Sequence, residues 1–251
     1  MKKLIVANWK CNPTSLKEAQ KMLLQLRSGI KKTKAEVVIC PPFCYLPLVS
    51  YKMLNVKLGA QNCFWEQNGP FTGEISAQML KDLAVQYVIL GHSERIMILG
   101  ETNAMIAKKV KAALNSGLMP IICVGETLEE KEQGKTFQVI EKALREILQG
   151  IKKQQMEKVI IAYEPLWAIS TNQNNHKNCS PDDALTMALY IKKLASEIFG
   201  KKAIQTLRVL YGGSVNVKNA LYYLNQDAIS GLLVGGASLN IKEFLGILSL
   251  I

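Results

Sequence analysis

The chain reads as an α/β protein of one domain, spanning residues 1–251 as a single eightfold parallel (β/α)8 barrel. Three observations carry this. The 251 residues match the ~250 typical of such a barrel. Eight short apolar runs alternate with longer amphipathic ones, and strands apolar on both faces belong to a parallel sheet covered by helices. The competing architecture, an open doubly wound sheet, usually carries a GxGxxG turn after its first strand. Here that turn is Asn8-Trp9-Lys10-Cys11-Asn12-Pro13.

In chain order, the apolar runs predict strands over Leu4–Asn8, Val37–Cys40, Val56–Ala60, Tyr87–Leu90, Pro120–Val124, Val159–Tyr163, Arg208–Tyr211 and Ile229–Val234. Between them, helical stretches include Ser15–Arg27, Thr102–Asn115, Thr136–Leu148 and Pro181–Phe199. The last has a clear start: Ser180 as cap, Pro181 at the first helical position, and Asp182 and Asp183 in the first turn, where acids meet the positive end of the helix. Its residues Leu185, Ala188, Leu189, Lys192 and Ala195 fall at helical spacing and predict the face turned to the core.

Composition excludes several classes. Hydrophobic residues make up 49% of the chain, enough for a large core. No apolar run reaches the ~18 residues of a membrane span, and the start MKKLIVANWK is interrupted too early by Asn8, Trp9 and Lys10 to be a signal sequence. A soluble protein with no membrane partner is expected. The net charge of +11 raises nucleic-acid binding. Its lysines are scattered, however, in pairs such as Lys31-Lys32, Lys108-Lys109 and Lys201-Lys202, with no aromatic-basic stripe. A solvated basic outer surface is the expectation, with no nucleic-acid partner. The six cysteines form no CxxC pair, and the two histidines, His92 and His176, make no zinc spacing with them. Free thiols point to a reducing cytoplasm, Cys40 and Cys123 read as buried strand thiols, and no metal is expected.

The chemistry gathers at the strand ends. AYEPLW (Ala162–Trp167) follows an apolar run and sets Glu164 where the strand stops at Pro165, the place where a barrel enzyme keeps its reactive groups. The other predicted strand ends supply Asn8 and Lys10, Gln61 and Asn62, His92, Gly125 and Glu126, Gly212-Gly213-Ser214, and Gly235-Gly236. A base, an imidazole, a cation, an amide and two glycine turns suit proton transfer beside a carbonyl on a phosphorylated substrate. Backbone N–H groups at the last two turns would hold the phosphate. Each group also has a plainer reading. Lys10 suits a surface lysine, His92 a helix cap, and the glycine pairs ordinary turns.

The ordered motifs ANWK (Ala7–Lys10), GAQN (Gly59–Asn62), FTGE (Phe71–Glu74), LGHSER (Leu90–Arg95), IICVGE (Ile121–Glu126), AYEPLWAI (Ala162–Ile169), YGGSV (Tyr211–Val215) and GLLVGGASL (Gly231–Leu239) closely resemble the triosephosphate isomerase family, from residue 4 to the C-terminus. The resemblance implies a TIM barrel that interconverts dihydroxyacetone phosphate and D-glyceraldehyde 3-phosphate without a cofactor, in glycolysis and gluconeogenesis in the cytoplasm. That family is itself a worked case of tuned proton transfer. By resemblance Glu164 is the base, His92 the neutral electrophile, Lys10 the cation and Asn8 the amide at the reacting oxygens. Ser170, Ser214, Gly235 and Gly236 match the phosphate cradle, and Glu94 and Glu101 match supporting carboxylates. A homodimer is implied, with the Phe71–Glu74 loop, Thr72 near its tip, reaching the partner's site.

Three departures stand out. The segment after the sixth strand, AISTNQNNHKNCSP (Ala168–Pro181), is about four residues longer than the family pattern, at little closure cost. It sets Ser170 where the family has glycine and lacks the usual second hinge, while the first hinge, Pro165-Leu166-Trp167, is intact. A lid that closes less tightly and leaks methylglyoxal is one expectation, and an equally functional longer loop the other. Ile96 replaces an arginine after HSER, which is expected to weaken a subunit contact, and Pro13 replaces a glycine.

Overall fold

The computed structural model describes residues 2–30, 33–52, 56–169 and 179–251. Eight strands, β1 Leu4–Asn8, β2 Glu36–Cys40, β3 Lys57–Ala60, β4 Tyr87–Leu90, β5 Met119–Val124, β6 Ile160–Tyr163, β7 Arg208–Tyr211 and β8 Gly231–Val234, pair in parallel in chain order. β1 also pairs with β8, Leu4 opposite Gly231, and closes the single-domain TIM barrel. At that seam Gly231 has no alternative, because a Cβ there would collide with the Leu4 backbone.

The helices on the outside are α1 Leu16–Gly29, α2 Leu46–Lys52, α3 Ala77–Asp82, α4 Ser93–Leu99, α5 Asn103–Asn115, α6 Leu128–Glu132, α7 Thr136–Ile147, α8 Pro181–Phe199, α9 Lys202–Thr206, α10 Ala220–Leu224 and α11 Ile241–Ser249. Local chemistry starts several of them. Ser15, Thr102 and Ser180 each accept a backbone N–H in the first turn of α1, α5 and α8, and Thr127 with Glu130 forms a reciprocal capping box on α6. Among the described residues, no helix is long and apolar enough to cross a membrane.

Strand alternation divides the core in two. Leu4, Val6, Val38, Cys40, Tyr87, Ile89, Ile121, Cys123, Ile160, Ala162, Leu210 and Leu233 pack together inside the barrel. Their neighbours, such as Ile5, Ile39, Val88, Ile122, Ile161 and Val209, pack outward against the helices. The thiols of Cys40 and Cys123 are buried as expected, and burial pushes both well above the usual thiol range.

Two expectations need correction. The buried face of α8 is Ala184, Met187, Ala188, Ile191, Leu194, Ala195 and Phe199, whereas Leu189 is 54% exposed. The apolar residues wrap far enough round this helix to allow two stripes, and packing against β6, β7 and α10 selects one. Lys109 is not a solvated surface lysine: it is 2% exposed, and its ammonium pairs with Glu101 and donates to Asn62 Oδ1 at 2.9 Å.

Candidate active site

The inward parity of β1, β6, β7 and β8, continued past their C-terminal ends, delivers most of the site; His92 lies off the inward parity of β4 and reaches the cleft as the cap of α4. Val6 points inward on β1, and two more alternations carry Asn8 and Lys10 to the barrel axis. Ala162 on β6 leads in the same way to Glu164, Leu210 on β7 to Gly212, and Leu233 on β8 to Gly235. Asn8, Lys10, His92, Glu164, Gly212 and Gly235 line one cleft of about 20 Å³ at this end of the barrel.

Glu164 is 2% exposed and His92 7%. Glu164 Oε1 lies 3.5 Å from His92 Nε2, and Oε2 accepts a bond from the Ser93 backbone N–H at 3.3 Å. The carboxylate needs room behind it: a Cβ on Gly212 would stand 2.7 Å from Glu164 Cγ. His92 is also the cap of α4, its Nδ1 accepting from the Glu94 N–H at 3.2 Å. The helix-cap reading of this residue thus holds, and the same geometry leaves its other ring nitrogen toward the cleft. An imidazole that accepts at Nδ1 carries its proton at Nε2, the nitrogen facing the cleft.

Lys10 is no surface lysine. Its side chain is 14% accessible and its Nζ sits 2.6 Å from Glu94 Oε1. Its backbone takes φ 53, a left-handed conformation that a long side chain adopts only when its surroundings hold it there. Two bonds do so: Lys10 N–H donates to Asn8 Oδ1 at 3.0 Å, and Gln61 Nε2 donates to Lys10 O at 2.8 Å. With Oδ1 so used, Asn8 keeps its Nδ2–H₂ for the cleft. Gln61, which also donates to Cys40 O, is a positioning residue visible in the sequence only as a strand-end amide.

Behind His92, α4 is pinned by charge. Glu101 is buried and accepts from Arg95 Nε at 2.5 Å and from Lys109. Lys109 is the group missed from the sequence, because its Lys-Lys context looks like surface. The Pro165-Leu166-Trp167 turn is held by Glu126, whose Oε1 accepts from Trp167 Nε1 at 2.8 Å and from Tyr163 Oη at 3.1 Å. Burial raises the Glu126 carboxyl above its ordinary pKa despite those two bonds. The Leu166 N–H donates to Glu126 O, and Lys131 Nζ lies 3.5 Å over the Trp167 ring.

The phosphate-cradle candidates divide. Gly235 lines the cleft and opens a short 3-10 turn over Gly236–Ser238. Gly236 lines a neighbouring groove beside α1. The Ser214 N–H donates to Ala168 O at 3.0 Å, so in this structure it is taken up by the chain. Ser170 and most of the longer segment after β6 lie outside the described residues. Among the described residues, no group of three His, Cys, Asp or Glu side chains could hold a metal ion.

The family model described as triosephosphate isomerase matches residues 3–251. The triosephosphate isomerase of Alkaliphilus oremlandii is 47% identical over 250 residues, 99% of this chain and 99% of the relative. That of Dictyoglomus thermophilum is 48% identical over 251 residues, 98% of each, and that of Clostridium tetani is 41% identical over 250 residues, 99% of this chain and 96% of the relative. A closed eight-stranded barrel with Asn8, Lys10, His92 and Glu164 at one mouth, together with these full-length matches, places the chain in the triosephosphate isomerase family.

Proposed function

We propose that Glu164, His92, Lys10 and Asn8 carry the isomerisation of D-glyceraldehyde 3-phosphate and dihydroxyacetone phosphate. The observation that carries this reading is the buried Glu164–His92 pair, 3.5 Å apart, in a cleft that also holds Lys10 and Asn8. Glu164 takes a proton from the carbon beside the carbonyl, and the electron pair moves onto the carbonyl oxygen. His92 Nε2–H donates to that developing oxyanion, with the Lys10 ammonium and the Asn8 Nδ2–H₂ beside it. The hydroxyl proton on the neighbouring oxygen passes to that oxyanion by way of His92 Nε2, and the protonated Glu164 then returns a proton to the adjacent carbon, where the new carbonyl forms beside it. No cofactor enters. Backbone N–H groups of Ser170, Ser214, Gly235 and Gly236 would bind the phosphate, Ser214 by exchanging its bond to Ala168 for the substrate. On this reading the enzyme serves glycolysis and gluconeogenesis and works in the cytoplasm.

The same reading makes the protein a homodimer. Met97 is 67%, Ile98 76% and Leu99 60% exposed on α4, with Phe71 39% exposed on the loop after β3, an apolar set that a partner would cover. A cleft of about 340 Å³ runs from Asn8, Lys10 and His92 out to Ile98 and Leu99, where the partner's Phe71–Glu74 loop would enter. Sedimentation as a monomer at working concentration would remove this part.

The test of the reaction is the isomerase rate on D-glyceraldehyde 3-phosphate beside a Glu164→Gln variant. Wild-type turnover, with kcat in the variant lower by at least ~10³-fold, is expected. A folded, dimeric wild type without turnover overturns the reading.

A further inference from the structure

Glu164 stands between two cavities. The front cleft is the one already described. A second cavity of about 410 Å³ lies behind it, between α4 and α7, and is lined by Ser93, Ile96, Val139, Ala143 and Glu164 among others. Among the described residues the two cavities share Glu164 and no other. The two oxygens of its carboxylate divide the same way. Oε1 faces His92, which lines the front, at 3.5 Å. Oε2 is bonded to the N–H of Ser93, which lines the rear, at 3.3 Å.

A rear cavity of about 410 Å³ exceeds the ~30 Å³ share of one water many times over. Its rim is polar. Asn103 and Glu146 line it and bond to each other at 2.7 Å, as do Thr127 and Glu130 at 3.0 Å. Water has both room and hydrogen-bond partners there.

From this geometry we infer that the rear cavity is the solvent port of the base, an inference that rests on the reading of Glu164 as the proton acceptor. After Glu164 takes the substrate proton, the neutral carboxyl group meets water at its Oε2 side. The carboxyl proton passes to that water and another proton returns from it, so the carboxyl group stays neutral and only the identity of the hydrogen changes. The hydrogen delivered to the product carbon is then the original one or one from solvent. The ratio is set by how fast the port exchanges relative to the return step.

The experiment runs isomerisation in D₂O from unlabelled D-glyceraldehyde 3-phosphate, stops it early, and reads by NMR the fraction of product that kept its original hydrogen. Ala143→Phe and Val139→Phe place a ring in the port from α7, where both positions are partly buried, and Val139→Ala widens it. The retained fraction is expected to rise at least about twofold in each plugged variant and to fall in the widened one, with kcat/KM within about threefold of wild type. Wild type and Val139→Ala alone suffice if the plugged proteins do not fold. Retention that stays at the wild-type value in every folded, active variant overturns the port and leaves the base assignment standing. Absence of wild-type turnover overturns the base assignment and the port with it.

Discussion

The barrel axis carries a carboxylate at each end, and the two are held in opposite ways. At the N-terminal end, Glu36 of β2 accepts from Tyr87 Oη at 2.5 Å on one oxygen and from Arg208 Nη1 at 2.8 Å on the other. At the C-terminal end, Glu164 has a 3.3 Å bond from a backbone N–H, an imidazole at 3.5 Å and the weak donor of the Cys123 thiol. Both follow from the same inward parity, Glu36 two residues before Val38 and Glu164 two residues after Ala162. Short bonds from a phenol and a guanidinium hold the Glu36 charge in the barrel floor, whereas the longer contacts of Glu164 leave it free to take a proton. The contrast separates structure from chemistry better than burial does, since Glu164 is the more buried of the two.

The largest expected effect that sharpens this contrast is at the imidazole. His92→Ala removes the donor that faces Glu164 and is expected to lower kcat by ~10²–10³-fold, measured by steady-state assay, with Tm lower by a few degrees because the cap of α4 goes with it. Glu164→Asp keeps the charge but withdraws the carboxylate by one methylene. Kcat should fall by about 10²-fold, since a misplacement of that size upsets a near-attack geometry. A near-normal rate in Glu164→Asp would mean that this carboxylate's position is not critical.

The floor should respond in the other currency. Glu36→Gln replaces a charged acceptor with a neutral amide between Tyr87 and Arg208. It is expected to reduce unfolding free energy by about 1–3 kcal/mol and leave kcat within about twofold, as read by urea denaturation and the same assay. A large loss of kcat without loss of stability would erase the contrast. The smallest effect is a pH slope. Burial alone would raise the Glu36 pKa, but the bonds from Tyr87 and Arg208 outweigh it and hold the folded value below the ordinary one. Its stabilisation is therefore present above the unfolded value, near about 4.3, and is lost as pH falls through the lower folded value. Between wild type and Glu36→Gln, the difference in Tm should shrink as pH drops below about 4.5, and a difference that grows on acidification would refute the assignment.

Much of this was legible in one sequence, for stated reasons. Strand alternation and strand ends are local, so the sequence places the eight strands within two residues at either end and reads Asn8, Lys10, His92 and Glu164 among the strand-end groups, their roles coming from the resemblance; the structure brings the four to one cleft. The Ser180-Pro181 start of α8 was equally local and is found as expected.

What the sequence did not settle depended on partners far along the chain. Lys109 looks like its neighbour Lys108 until α5 packs beside Glu101 and Asn62, where the desolvated ammonium finds two acceptors. The buried stripe of α8 was chosen by the barrel it covers. The cap role of His92, the left-handed backbone of Lys10 and the two-sided exposure of Glu164 exist only once the strand ends converge. Sequence by itself determined that Asn8, Lys10, Glu164 and Gly235 reach the mouth of the barrel, because their reach is set by periodicity along one strand; His92 gets there through the turn into α4. Tertiary structure alone decided which carboxylates are tied by short bonds and which are left able to react, because hydrogen-bond partners come from strands far along the chain, as Glu36 and Arg208 do.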